Sequence, residues 1–253
     1  MKYWNRVFVL IVIVANIFIC CVRRIPKKEP RLSNMIKDTE FQTIRVDSLK
    51  DRLIIYYPQT AHFGLVCGEI PDTSISNISF VCAAAYTGRR LDVFQHDNIA
   101  GDHVSAGQRF HGYRCNRNSG AFVSYNSKWK FLYQNYSYEL DSAANNNGMG
   151  FAQEMMIHDS CIVEHARPDD EMNQYRALCN INGELAIVDS KVSMTFGHFI
   201  GLLLNVGAID ALYMDMGGWK QSWYREYEGG EPTVIHPIDN DFGTNWFTVY
   251  IVN

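Results

Sequence analysis

Three groups of residues have types and spacings that can do chemistry. Asp215 closes an apolar stretch, Ala208 to Met214, and is followed by Met216, Gly217 and Gly218. A carboxylate at a strand end beside glycines either meets a ligand that approaches the backbone closely or is a turn aspartate bonded to its own backbone. Arg176 precedes the apolar residues Ala177, Leu178 and Cys179. Its guanidinium fork suits the oxygens of a phosphate, or it holds a structural ion pair. The third group, His96 to His103, sets two histidines and two aspartates (Asp97, Asp102) around Asn98 within eight residues. Such a stretch can ligate a metal, hold sugar hydroxyls or stay solvated. Its spacing matches no helical zinc motif such as HExxH, so no metal and no other cofactor is assigned. The chain has no GxGxxG after a strand, no P-loop and no GxSxG elbow.

The elements that must position these residues read mostly as strands. Leu53 to Tyr57, Phe63 to Cys67 and Ser79 to Tyr86 are short apolar runs bounded by turn residues. Ala121 to Tyr125 and Trp129 to Tyr133 form a hairpin, as do Tyr175 to Asn180 and Glu184 to Asp189 around Asn182-Gly183. Phe94 to Asn118 reads as a long polar loop. Met149 to Ile157 has helical spacing, and His198 to Val206 reads as a buried helix with Gly207 at its C-cap. Trp246 to Val252 is an apolar terminal strand. The class expected is α+β, a mixed, largely antiparallel sheet with a few packed helices.

Val7 to Val22 is apolar apart from Asn16 and follows Lys2 and Arg6. This is the pattern of a signal peptide or membrane anchor over residues 1–22, with a charged, proline-containing linker over 23–45 and a folded domain over 46–253. No small-x-small cleavage site follows, and Cys20 or Cys21 offers a lipid acceptor. The expectation is an exported, cell-envelope protein that meets the membrane through its N-terminal segment. Five cysteines remain beyond it, with no CxxC pair. The whole chain carries a formal charge of −4, but residues 1–30 hold six of its 23 basic and one of its 27 acidic residues. The rest is therefore a −9 domain. That field disfavours nucleic acid, and any phosphate it binds needs a local cation.

The order of parts from residue 80 to 219 resembles the phosphodiester glycosidase family. That family runs from a strand ending in Asn-Gly-Gly-Phe/Tyr to a strand with Arg-Thr-Ala-Ile/Val-Gly. A glycine-turn hairpin, a glycine-led helix and a strand ending in Leu-Asp-Gly-Gly-Gly-Ser follow. Here Tyr175-Arg176-Ala177-Leu178-Cys179 stands at the arginine motif, and Gly197 leads the helix. Tyr213-Met214-Asp215-Met216-Gly217-Gly218 stands at the last motif, and Ala83-Ala84-Ala85-Tyr86 at the first. The departures are the lost asparagine and glycines before Tyr86, Ala177 for threonine, and Met216 and Trp219 for a glycine and the serine.

The resemblance implies a hydrolase that cleaves the glycosidic C–O bond of a sugar-1-phosphodiester on a glycan or glycolipid. In that role Asp215 serves at the anomeric carbon and Arg176 at the phosphate. Gly217, Gly218, His96, Asn98, His103 and Tyr86 would contact the sugar. The lost Asn-Gly-Gly motif keeps open a non-catalytic carbohydrate-binding protein on the same fold. A metal-dependent hydrolase built on the His96 to His103 loop is the third reading.

Overall fold

The computed structural model describes residues 41–60, 62–88, 94–165, 167–168, 170–216, 221–237 and 244–251. The chain divides into units Met1–Thr39 and Glu40–Asn253, and all described residues fall in the second. The apolar leader, Gly217 and Gly218 lie outside the described residues. Among those described, no helix is long and apolar enough to cross a membrane.

The first strands are β1 (Ile44–Leu49), β2 (Leu53–Pro58), β3 (Phe63–Gly68) and β4 (Ile78–Ala83). A 3₁₀ turn at His96–Asn98 precedes β5 (His103–Ser105) and β6 (Gln108–Phe110). The hairpin β7 (Gly120–Tyr125) and β8 (Lys128–Tyr133) leads into helix α1 (Ser137–Asn145). Then come β9 (Met149–Gln153), β10 (Met155–His158), β11 (Cys161–Ile162), β12 (Arg176–Ile181) and β13 (Glu184–Ser190). Helix α2 (Phe196–Asn205) and β14 (Ala208–Met214) follow, and β15 (Ser222–Tyr224), β16 (Thr233–His236) and β17 (Thr244–Tyr250) end the described chain.

These strands form three sheets, in the orders β1-β2-β13-β12-β14-β10-β11, β16-β15-β4-β17-β3 and β6-β5-β9-β7-β8. Every pairing between named strands is antiparallel. The α+β expectation is thereby corrected: the described chain is nearly all β, with two α-helices.

The helical reading of Met149 to Ile157 is also corrected. The segment is the two strands β9 and β10, and all of its residues are buried. A strand covered on both faces does not alternate, so its apolar run is indistinguishable from a buried helix. Helix α1 gave no sequence signal because only Leu140 and Ala143 are buried in it. The Asn182-Gly183 turn has the two positive φ values, 51° and 94°, that a tight hairpin requires. Helix α2 is capped by the Thr195 side chain, which accepts from the His198 N–H, and it ends before Gly207 at φ 89°.

Side-chain alternation assigns the two faces of the seven-stranded sheet. Leu178, Ile187, Leu212 and Met214 point into a core shared with Phe80, Cys82 and Phe247 of the second sheet and Phe122 and Phe151 of the third. Ala177, Val188, Ala211 and Tyr213 point the other way, against Phe196, Phe199 and Leu203 of α2.

Candidate functional site

The end of β14 is where the candidate residues gather. The Asp215 N–H donates to the Ala84 carbonyl (2.9 Å), and its carboxylate accepts from the Thr87 N–H (3.3 Å). The chain from Ala84 to Thr87 thus runs along the strand end. It is held there by Asn245, whose side-chain amide accepts from the Ala85 N–H (2.7 Å) and donates to the Ala85 carbonyl (3.0 Å). The Thr87 and Thr244 hydroxyls also meet. Asp215 is buried, and its charge reaches both Tyr113 and Tyr213. Burial first, then Asp215, pushes the Tyr213 phenol up to about 12.

Tyr86, one residue before Thr87, turns toward a different partner set. Its hydroxyl donates to Glu154 (2.8 Å) and accepts from Arg167. Arg167 also donates to the same Glu154 oxygen through Nε (3.1 Å) and Nη2 (2.9 Å). Burial and then the Glu154 carboxylate raise the Tyr86 pKa, so the phenol stays protonated. The guanidinium lies 4.3 Å from the Tyr213 ring centre and 4.4 Å from that of Phe196, a cation–π cage.

Beside it opens a cleft of about 340 Å³ lined by Arg167, Asn173, Gln174, Tyr175, Ser193, Tyr213 and Met216. A cation, two amides and a hydroxyl give this wall groups that can bond the hydroxyls of a sugar. Tyr213 links this cleft to Asp215: Arg167 lies over its ring, and Asp215, two residues further on, acts on its phenol by charge.

The other expected residues are placed elsewhere. Arg176 is on the inner face, fully buried, and directly opposite Asp189 in register. It donates to both Asp189 oxygens (2.6 Å each) and to Ser222 (2.9 Å). Its fork is therefore committed to a structural ion pair, the other of the two roles that its sequence position allowed. His96 and His103 face one another, with Nδ1 and Nε2 2.9 Å apart, and both stack against Phe110 of β6. Burial drives His103 down to about 4 and lowers His96 as well, so both rings are neutral at pH 7. Asn98 is buried, and its carbonyl accepts from the Gly88 N–H (2.7 Å) while Tyr86 accepts from the Ala100 N–H (2.8 Å). The 3₁₀ turn thus braces the Tyr86 segment rather than joining the cleft wall. The loop expected over Phe94 to Asn118 carries β5 and β6 as well as this turn.

Glu154, Arg167 and Asn245 had not been singled out in the sequence. Glu154 alone carried a signal, as one acid inside the apolar run from Met149 to Ile157. A buried carboxylate there requires a cation or several donors.

No protein-family model matches this chain, and no curated protein sequence does. Its fold is nevertheless similar to that of a solved protein domain. The catalytic domain of zebrafish N-acetylglucosamine-1-phosphodiester alpha-N-acetylglucosaminidase, solved auto-inhibited by its pro-peptide, superposes with a TM-score of 0.56. The alignment covers 83% of this chain and 82% of that one at 10% identity. A hypothetical protein from Synechocystis aligns at 13% identity over 83% of this chain and 61% of its own, with a TM-score of 0.46, too low to argue from. At such identities the likeness is one of fold, and function has to come from the site.

Proposed function

We propose that this protein is an exported hydrolase that cleaves the glycosidic C–O bond of a sugar-1-phosphodiester, with the sugar in the Arg167–Tyr213 cleft. The observation that carries the reading is a guanidinium caged against the Tyr213 ring, with the Asp215 carboxylate two residues further on at the end of the same strand. Asn173, Gln174 and Ser193 offer hydrogen-bond partners to the sugar hydroxyls.

Water adds to the anomeric carbon as the C–O bond breaks, and the phosphate leaves as a monoester on the other partner. The water proton passes to Asp215 and then to solvent. The carboxylate also stabilises positive charge that develops on the ring. Arg167, not the enclosed Arg176, takes the phosphate oxygens and stabilises the charge that grows on the leaving group. The departing group is already a stabilised anion, so a strong general acid is not required.

The test is turnover of a panel of sugar-1-phosphodiesters by the full chain, read as release of the phosphomonoester. Asp215→Asn is expected to lower kcat about 10³-fold. Arg167→Lys, which keeps the charge and loses the fork, is expected to raise KM roughly tenfold. A wild-type protein that turns over none of the panel overturns the reading.

One observation favours a non-catalytic carbohydrate-binding protein instead: Glu154 already neutralises Arg167. Glycan binding without turnover, unchanged in Asp215→Asn, would select that alternative.

A further inference from the structure

A second cluster lies between two sheets. Cys67 is at the end of β3, at the edge of the second sheet, while His103 opens β5 of the third and His96 begins the 3₁₀ turn before it. The Cys67 sulfur and one ring nitrogen from each histidine all lie within 4.8 Å of one another. We propose that Cys67, His96 and His103 form a zinc site that ties the second sheet to the third.

The donor set points to this class of ion. One thiolate with two neutral imidazoles suits zinc and its late first-row neighbours, whereas magnesium and calcium take oxygen ligands. The spacing is close to what the ion needs. Tetrahedral zinc, with bonds of ~2.0–2.3 Å, separates its ligand atoms by about 3.3–3.6 Å. The histidine nitrogens stand at 2.9 Å, so they part by a few tenths of an ångström while the sulfur closes in.

The ligands are already oriented. His103 Nδ1 donates to the Gly101 carbonyl (3.2 Å), which fixes the tautomer that leaves the Nε2 lone pair facing the cluster. The His96 ring stacks on Phe110 with centroids 3.4 Å apart and meets the edge of Phe94. A hydrogen bond joins the two histidines, and the Cys67 side chain bonds Ser105 beside them. The aspartates of the same loop take no part: Asp102 is held by Arg109 and His111. Cys67, which no spacing in the loop could reveal, comes instead from a strand about thirty residues earlier.

His103 is buried, while Cys67 and His96 are partly exposed, which gives the ion a way in. Three protein ligands leave a fourth position for water. Burial keeps Cys67 a thiol, pushed up to about 11, so binding must release one proton to solvent. The expected effect is to stabilise the seam between the two sheets. Ser105 already bonds the Leu65 carbonyl (2.7 Å) across the same seam, and the metal would add a second tie.

The experiment uses the full chain, stripped with chelator under reducing conditions and titrated with Co²⁺ and then Zn²⁺. The expected result is one equivalent of Co²⁺ with a thiolate-to-cobalt charge-transfer band, displaced by zinc. Zinc at a hundredfold excess over its Kd should raise Tm by roughly 5–10 °C. The band should vanish in Cys67→Ser, weaken in His96→Gln and persist in Cys115→Ser. Both histidine and cysteine variants replace partly exposed side chains, and circular dichroism of the metal-free forms confirms that they fold. Absence of the band in the wild type, or its survival in Cys67→Ser, overturns the proposal. The outcome is independent of the glycosidase reading, because no catalytic step uses this ion.

Discussion

Two arginine–carboxylate pairs stand on opposite faces of the same sheet, and they differ in what surrounds them rather than in their chemistry. Arg176 and Asp189 oppose each other on β12 and β13 and point inward, with Cys82 and Ser222 of the second sheet against the guanidinium. Arg167 and Glu154 lie on the outer face, where α2 covers the sheet only in part and leaves the Tyr213 cleft open. Parity along β12 decides the first case: Arg176 shares its face with Leu178, so the guanidinium has to enter the core. The second pair reaches its place from a loop and a strand junction, so one edge of the guanidinium stays at a wall that a ligand can touch. An arginine in an apolar strand is thus a poor guide to an anion site, and one caged by aromatic rings at a cleft is a better one.

The largest expected effect tests the sealed pair. Arg176→Met leaves Asp189 buried without its fork and should cost about 3–5 kcal/mol, read as a fall in urea midpoint at constant m-value. The double variant Arg176→Met/Asp189→Leu should recover most of that loss. A single variant that stays as stable as the wild type but loses phosphodiester binding would falsify the division drawn here, because Arg176 would then face ligand.

Next in size is the open pair. Arg167→Met leaves Glu154 buried with only the Tyr86 hydroxyl, a loss of about 1–3 kcal/mol. It should also weaken binding of a sugar phosphate more than binding of the neutral sugar, which calorimetry with the two ligands separates. Equal loss for both would mean that Arg167 only braces the wall.

Much of this arrangement was legible in the chain. The Asn182-Gly183 hairpin, helix α2 and the strand into Asp215 follow from turn chemistry, capping and apolar period, which are local signals. What failed depended on partners distant in sequence. β9 and β10 looked helical because both of their faces are covered, and Arg176 looked available because Asp189 and Ser222 approach from other strands. The asparagine that the resemblance led one to expect before Tyr86 is absent from the sequence. Asn245 supplies an amide to Ala85 from 160 residues away. The Cys67 sulfur within 4.8 Å of the His96 and His103 rings comes from another sheet, which no local spacing displays.

The smallest effect extends the comparison to a third pair, nearer the surface. Asp102 accepts from Arg109 and His111, and its side chain is 29% exposed. Burial raises its pKa, but the hydrogen bonds and charges of Arg109 and His111 outweigh that, so the folded value lies below the usual carboxylate range. A carboxylate depressed in this way contributes stability that is complete above its unfolded value of about 4 and is lost as pH falls through the folded value. Asp102→Asn should therefore be less stable than the wild type by about 1 kcal/mol or less at pH 7, and the gap should close as pH falls below the unfolded value of about 4. Unfolding free energies measured across that range decide it. A gap that persists unchanged at pH 2 would assign the interaction to hydrogen bonding rather than charge. A gap as large as that for Arg176→Met would mean that exposure does not rank these three pairs.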